Sequence, residues 1–429
     1  MQAVTHWAQR RLGAHFHYAW VAVALAFLIM LITAGTRATP SVMMVALEES
    51  LGWDRISISL ALSINLALFG LVGPFAAAAM ERFGLRRTVL VALFVLAVAV
   101  ALSNWMQQRW QMSLLWGVLV GSATGVTAMT FGATVVNRWF KTRRGLAMGL
   151  LTASSATGQL VFLPFLASLV ESSGWRPVVL SVAAAIAVAI PFVFLLLPER
   201  PAQVGLALYG EPEGTPPAPV EARRNPVALA FSVLGRAVKE RDFWLLFFSF
   251  FVCGATTNGY IGTHFIAMCG DYGLDPVKGA SVLAAMGALD LVGTTASGWL
   301  SDRFNNRVLL FWYYGLRGLA LLYLPAAFGL GYFGLPVFAV FYGLDWIATV
   351  PPTVRLTTDV FGSRDAPIVF GWIVTGHQLG AAFSALLGGV LRANLGTYTL
   401  ATMFSGVLCL LAAVMVLRIN RQGRLAPAG

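Results

Sequence analysis

Charged residues are scarce in this chain. Of its 429 residues only 11% are charged, whereas a soluble globular domain carries about 25%. The hydrophobic share is 58%, and the mean hydropathy is +0.76. This scarcity excludes an ordinary soluble domain. Because apolar stretches of about 20 residues, long enough to cross the core of a bilayer, recur along the whole chain, we predict an all-α membrane protein.

Cysteine is also rare, and several functional motifs are missing. Cys253, Cys269 and Cys409 lie in or near apolar runs, which favours small buried residues over a structural disulfide. No small-residue cleavage site follows the apolar run that starts at Tyr18, so this run is interpreted as a first span. A Walker motif, a nucleophile elbow and a loop-borne histidine with a nearby acid are all absent. We therefore predict neither an enzyme nor an ATP-driven pump, and no cofactor.

The apolar runs fall into two groups of six. The predicted spans are 17–46, 56–79, 88–106, 111–137, 145–170 and 176–197, followed by 242–268, 278–300, 307–329, 334–358, 366–391 and 397–418. The break between the groups contains EPEGTPPAPVEARRNP, whose proline, glycine and charge indicate a linker. The predicted domains are a six-helix bundle at 1–197, a cytoplasmic linker at 198–241 and a second six-helix bundle at 242–429.

Lysine and arginine are distributed unequally between the two faces. If both termini share a face, 22 of the 29 basic residues lie on that face and five on the opposite one. The positive-inside rule then places both termini and the linker in the cytoplasm. Topology accounts for the net charge of +11, so no nucleic-acid partner is predicted. We expect a monomeric, multi-pass protein of the bacterial inner membrane.

A short charged signature is repeated in the two halves. The stretch GPFAAAAMERFGLRR lies between spans two and three, and SGWLSDRFNNRVLL lies 221 residues later, between spans eight and nine. Each copy has an acid, Arg, Phe, two further residues and another Arg. An acid at a helix end can cap a neighbouring helix or pair with a facing arginine; the alternative is coincidental positive-inside charge. The predicted cytoplasmic gate comprises Glu81, Arg82, Arg86, Asp302, Arg303 and Arg307.

This duplicated signature in a six-plus-six chain resembles the major facilitator superfamily, in which two halves rock about a midplane site. The segments RWFKTRRGLAMGL (138–150), SGWR (173–176) and PAQVGLALYGE (201–211) resemble the monocarboxylate porter and oxalate–formate antiporter branch. The resemblance implies twelve transmembrane helices and alternating access. In the resembling branch, an aspartate is followed four residues later by an anion-binding arginine. Asp290 matches this aspartate, but Thr294 occupies the position of the arginine. A second departure is Glu81, which stands where aspartate is commoner.

Polar side chains at membrane depth are functional candidates, because each costs several kcal/mol unless it is paired or hydrated. At about 1.5 Å of rise per residue, Asp290, Arg317, Asp345 and His377 lie near the midplane. Since span nine is peripheral in the resembling family, Arg317 is predicted to form a structural ion pair with Asp345 or Asp290. The predicted substrate-binding residues are Arg37, Asn65, Gln159, Asn258, His264, Asp290 and His377.

Proton coupling requires a group that titrates near neutral pH, which a desolvated carboxylic acid or a histidine can do. Asp290 is the first candidate and His377 the second, with simple helix packing as the alternative for His377. For Arg37, the alternative to substrate binding is that its side chain extends to the outer membrane interface. The sequence therefore favours a proton-coupled secondary transporter of a small organic anion or amphiphilic metabolite.

Two other transport functions stay open at this point. The acids Asp290 and Asp345 could serve the efflux of hydrophobic or cationic compounds. The stretch THFIAMC places His264 and Met268 four residues apart on one helix face, with Cys269 adjacent, which suits Cu(I). This His-xxx-Met pattern resembles that of a copper-importing branch of the superfamily. That branch also uses Met-xxx-Met, which this sequence lacks, so no bound metal is predicted.

Overall fold

A computed structural model describes residues 17–212, 226–330 and 334–419 of the chain. Within these ranges the backbone is helical apart from short connections and one isolated bridge between Phe140 and Tyr209. The helices of the first half are α1 (Ala19–Leu51), α2 (Arg55–Phe83), α3 (Leu85–Leu102), α4 (Arg109–Trp139), α5 (Arg144–Ser173) and α6 (Trp175–Leu196). The all-α prediction is confirmed for this part of the chain.

A helix that lies inside the predicted linker precedes the second half. This amphipathic helix, α7 (Pro226–Ala237), is followed by α8 (Arg241–Asp271), α9 (Pro276–Ser301), α10 (Asn306–Ala327), α11 (Leu335–Gly362), α12 (Asp365–Leu395) and α13 (Thr399–Val416). The φ of Gly362 is +74°, a conformation that suits glycine, and it marks the kink between α11 and α12. Helix α11 is itself irregular at 346–349.

Eleven helices in the described ranges are long and apolar enough to cross a membrane. The fifth predicted span corresponds to α5, which is 30 residues long and carries a shorter apolar section, Val161–Ser173. The exact number of twelve spans and the cytoplasmic position of the termini stay predictions.

Glycines allow the helices of each half to approach closely. Helix α4 packs on α2, where a Cβ at Gly121 would lie 2.7 Å from the Cα of Asn65. Helix α9 packs on α11, where a Cβ at Gly293 would lie 1.8 Å from the carbonyl oxygen of Leu344. In a bilayer the hydrophobic effect does not drive helices together, so helices associate through close van der Waals contacts of this kind at small residues.

The two halves meet along α2 and α12, along α5 and α9, and where α1 approaches α8. In the first of these interfaces, Gly389 leaves room for the hydroxyl of Ser59, and Gly70 leaves room for Gln378. Helix α7 also contacts both halves, because the Phe231 ring lies 6.4 Å from Phe75 of α2 and 5.5 Å from Trp372 of α12. This arrangement leaves a central cavity between the halves.

Candidate functional site: the central cavity

The central cavity is built by helices from both halves. Its walls come from α1, α2 and α5 on one side and from α8, α9 and α11 on the other. Most of the lining is apolar, and its larger side chains are Leu62, Leu66, Leu163, Leu283 and Trp346. The polar lining residues are Arg37, Ser41, Asn65, Asn258 and Thr263.

Arg37 is the charged side chain of this lining. Its guanidinium carbon lies 4.1 Å from the centre of the Phe69 ring, which is the geometry of a cation–π contact. Across residues 17–212, 226–330 and 334–419, no carboxylate lies within salt-bridge distance of it. A cation held in a largely apolar cavity without an acid is a ready contact for an anion.

Two asparagines place amide groups beside the same cavity. The side-chain nitrogen of Asn65 donates to the carbonyl of Trp116 at 2.6 Å, which fixes its orientation. The side-chain nitrogen of Asn258 lies 3.3 Å from Nε2 of His377. The structure thus brings together three of the predicted binding residues, Arg37, Asn65 and Asn258. His377 stands behind Asn258, packed against the Phe250 ring at 4.8 Å, and does not belong to the lining.

Asp290 lies outside the cavity lining and contacts α11 instead. It is 4% exposed, and its Oδ1 accepts hydrogen bonds from the Thr294 hydroxyl and the Ile347 backbone N–H, both at 2.8 Å. The residue that departs from the resembling branch, Thr294, is therefore the local partner of the aspartate. This geometry does not provide a direct contact with substrate, because both hydrogen bonds join Asp290 to other protein groups.

Arg317 and Asp345 form a buried ion pair at the same irregular section of α11. The Nε of Arg317 lies 2.7 Å from Oδ2 of Asp345, and its other nitrogens donate to the backbone carbonyls of Asp345 and Trp346 and to the Cys253 sulfur at 3.0 Å. Helix α11 loses regular hydrogen bonding at 346–349, so these backbone groups need other partners. Arg317 satisfies the carbonyls and Asp290 satisfies an N–H, and together they hold the segment that presents Trp346 to the cavity.

His264 is buried away from the cavity and uses both ring nitrogens. Nε2 lies 2.7 Å from the Ala385 carbonyl, and Nδ1 lies 3.1 Å from the Tyr398 hydroxyl. In the described part of the chain, no group of three His, Cys, Asp or Glu is arranged to hold a metal ion. Because both ring nitrogens of His264 already have partners, this geometry does not favour the Cu(I) hypothesis. The side chain of Gln159 lies outside the described residues.

The first copy of the charged signature is organised by residues beyond the motif. Arg138 contacts Glu81 at 3.4 Å and Glu199 at 3.1 Å. Glu199, rather than Glu81, caps the start of α3, because its carboxylate accepts the backbone N–H groups of Leu85 and Arg86 at 2.6 and 2.9 Å. Arg82 lies over the neighbouring Phe83 ring. These contacts join the first half to the start of the linker, where Glu199 lies.

The second copy also makes local contacts. Arg303 lies over the Trp299 ring at 4.1 Å, and Arg307 donates to the Ile419 carbonyl at 3.3 Å. Asp302 directly follows α9. Since none of these contacts joins the two halves, the gate role of both copies stays a prediction.

A charged cluster that the sequence did not indicate joins the halves at the opposite end. Arg55, only 9% exposed, holds both carboxylate oxygens of Glu48, and its Nη1 reaches the Tyr398 hydroxyl at 3.1 Å and Asp271 at 3.8 Å. Asp271 also forms a two-bond pair with Arg392, at 2.6 and 2.9 Å. We call this end, which the charge bias predicts to face away from the cytoplasm, the outer end.

Comparison with known proteins gives a consistent result. The sequence profile of the Major Facilitator Superfamily matches residues 26–354. The uncharacterized MFS-type transporter YcxA of Bacillus subtilis is 25% identical over 392 residues, which cover 86% of this chain and 88% of that protein. Monocarboxylate transporter 13 of Bos taurus is 26% identical over 401 residues, which cover 92% and 87%.

Solved structures of low sequence identity share the fold. An inward-facing, unoccupied bacterial homolog of the human lysosomal transporter Spinster superposes with a TM-score of 0.74 at 16% identity, over 96% of this chain and 99% of that one. A D-xylose–proton symporter gives a TM-score of 0.72 at 14% identity, over 94% and 98%. At these identities the likeness concerns the fold alone.

Proposed function

From the premise that this chain belongs to the Major Facilitator Superfamily, we propose that it is a secondary transporter of a small organic anion. The anion binds beside Arg37 in the central cavity and crosses by alternating access of two halves, 1–197 and 242–429, coupled to protons. The proposed setting is the bacterial inner membrane, with both termini and the 198–241 linker in the cytoplasm and the protein acting as a monomer.

One observation carries this proposal. Arg37 is a cation in the cavity wall with no carboxylate in reach among the described residues. A charge withdrawn from water is costly until an opposite charge joins it, so the site gains most from an anion. The neighbouring leucines and Trp346 suit a substrate with an apolar body, while Asn65 and Asn258 supply polar contacts.

The same geometry argues against the efflux of cations. Asp345 is paired with Arg317, and Asp290 is bonded to Thr294 and the backbone of α11. Neither carboxylate belongs to the cavity lining, and the lining residues that the structure describes include no acid. A cationic drug would therefore meet Arg37 without a compensating carboxylate, which is electrostatically unfavourable.

Asp290 remains the proposed proton-coupling residue. It is buried, and in the described ranges it lies within salt-bridge distance of no arginine or lysine. Both of its hydrogen bonds end at Oδ1, which leaves Oδ2 as the oxygen that takes a proton. Its bond to Ile347, the neighbour of the cavity-lining Trp346, provides a physical path from proton binding to the substrate site.

The test is a thermal-shift screen of the purified protein with small organic acids and amines. We expect an acid with an apolar body to raise the unfolding temperature of the parent, and Arg37→Gln to abolish this shift. Arg176→Gln, an exposed arginine outside the cavity, is the matched control and should retain it. A shift given by amines, or one that survives Arg37→Gln undiminished, would overturn the anion assignment.

Uptake into proteoliposomes tests transport itself. With the screened acid and an imposed pH gradient, we expect accumulation on the alkaline side in the parent and none in Arg37→Gln. Asp290→Asn should keep anion binding in the thermal-shift assay but lose accumulation driven by the pH gradient. Uptake by Asp290→Asn that still follows the pH gradient would remove Asp290 from the coupling role.

A further inference from the structure

Three buried residues at the outer end form one directed chain of hydrogen bonds between the halves. Arg55 of α2 bonds to the Tyr398 hydroxyl, which bonds to His264 of α8, which bonds to the Ala385 carbonyl of α12. Arg55 is 9% exposed, Tyr398 is 2% exposed and His264 is fully buried. We call the first three residues the outer latch.

The chemistry of these groups fixes the direction of every bond in the latch. The Ala385 carbonyl can only accept, so the proton of a neutral His264 ring is on Nε2 and Nδ1 is an acceptor. Tyr398 therefore donates its O–H to Nδ1, while its oxygen accepts from Arg55, which can only donate. A phenol in water loses its proton only at about pH 10, so the Tyr398 hydroxyl keeps the proton it donates at neutral pH.

A second proton on His264 is incompatible with this arrangement. Nδ1 would then carry a hydrogen, and the buried Tyr398 hydroxyl would lose its acceptor. The ring cannot easily move aside, because the Gly388 backbone lies against it: a Cβ at Gly388 would be 2.8 Å from Nε2. The imidazolium would also add a positive charge one hydroxyl away from Arg55.

The surrounding charged groups do not cancel this penalty. Glu48 is held by Arg55, and Asp271 is shared between Arg392 and Arg55, so neither acid contacts the histidine ring. The Tyr260 ring centre is 6.1 Å away, and its hydroxyl bonds to Thr402 and the Tyr398 carbonyl. The titratable and charged groups that face His264 or its latch partners are Glu48, Arg55, Tyr260, Asp271, Arg392 and Tyr398.

We propose that His264 is a proton-binding site that controls the outer end: the neutral ring keeps the latch closed, and protonation releases it. The inference rests on the proposed function only in treating this closure as a step of transport. Its ligand is the proton, which reaches His264 when the outer end opens and is released when the latch forms again.

The expected size of the effect follows from linkage. A histidine in water titrates at about pH 6.5. If only the open state binds the proton, lowering the pH from 7.5 to 5.5 raises the open-to-closed ratio about tenfold. The closed state shown here is then the form favoured at neutral pH.

The test measures access to the cavity from the outer end in proteoliposomes. Ser41→Cys lines the cavity and is 6% exposed, while Glu49→Cys is exposed beyond the latch. A membrane-impermeant maleimide is applied on the side where Glu49→Cys reacts, and the Ser41→Cys rate is divided by the Glu49→Cys rate to remove the pH dependence of thiol chemistry. The unmodified chain, whose three cysteines are all buried, supplies the background.

We expect this ratio to rise about tenfold between pH 7.5 and 5.5. Tyr398→Phe should give a high ratio at both pH values, and His264→Gln, which cannot take a proton, should give a ratio independent of pH. A constant ratio in the parent, or the same pH dependence in His264→Gln, would overturn the proposal. Anion stabilisation through Arg37 is measured separately, so failure of the latch proposal does not count against the anion site.

Discussion

Asp345→Asn probes the energy stored in the buried ion pair behind the cavity. Asparagine has nearly the shape of aspartate, so the substitution leaves no cavity and removes only the charge. Arg317, 1% exposed, would then be a buried cation without its anion. Removing one partner of a buried pair costs about 3–5 kcal/mol. Arg317 keeps its bonds to two carbonyls and to the Cys253 sulfur, so we expect the lower end of that range.

The assay is denaturant unfolding in detergent, monitored by tryptophan fluorescence. Asp359→Asn is the matched control, because Asp359 pairs with Arg355 four residues away on the same helix in an exposed pair at 4.0 Å. Exposed pairs of this kind contribute about 0.3–0.5 kcal/mol. We expect a loss of about 3 kcal/mol for Asp345→Asn and less than 0.5 kcal/mol for the control, on the basis of these two classes of pair. Equal losses in the two variants would refute the view that the pair holds the irregular section of α11.

Two further predictions concern helix contacts and helix ends. Gly293→Ala should prevent recovery of folded protein in size-exclusion chromatography, because its Cβ would lie 1.8 Å from the Leu344 oxygen, whereas Gly298→Ala on the same helix meets nothing within 4 Å and should behave like the parent. Asp54 caps α2: partial burial raises its pKa, but hydrogen bonds from Ser57 and the charge of Arg109 bring it below the usual value. A lowered pKa stabilises the fold above the unfolded value of about 3.9 and this contribution is lost as the pH falls through the folded value. Asp54→Ala should therefore cost about 1 kcal/mol at pH 7, and the difference from the parent should shrink below about pH 4 in a pH series of unfolding curves; a difference that persists at low pH would contradict this assignment.

The sequence by itself determined the class of fold. A bilayer core has a fixed thickness, so the length and spacing of the apolar runs predict the helices, and the structure places helices at the predicted runs. The resemblance to the major facilitator superfamily is confirmed by the family profile and by relatives that include monocarboxylate transporters. The break at 198–241 was predicted as a linker, but the helix α7 within it was not predicted. The composition of this segment showed only that it cannot cross the membrane, not whether part of it is helical.

The depth of polar residues was also predictable, but their direction was not. Arg37, Asn65 and Asn258 were predicted as binding residues because they are polar side chains within apolar spans, and all three line the cavity. Asp290 was predicted near the midplane as well, yet neither it nor His264 belongs to that lining. Their rotation about the helix axis is set by packing: Asp290 contacts the irregular section of α11, and His264 contacts Ala385 and Tyr398.

Only the tertiary structure revealed the cluster at the outer end. Arg55 contacts Tyr398, 343 positions later in the chain, and Asp271 on another helix, so no local spacing could have connected them. In the sequence, Arg55 and Arg392 are two of the five basic residues predicted on the face opposite the termini. Hydrophobic length and charge bias act along the chain and can be read there, whereas a contact between two halves depends on where separate helices meet, and only the packed molecule decides that.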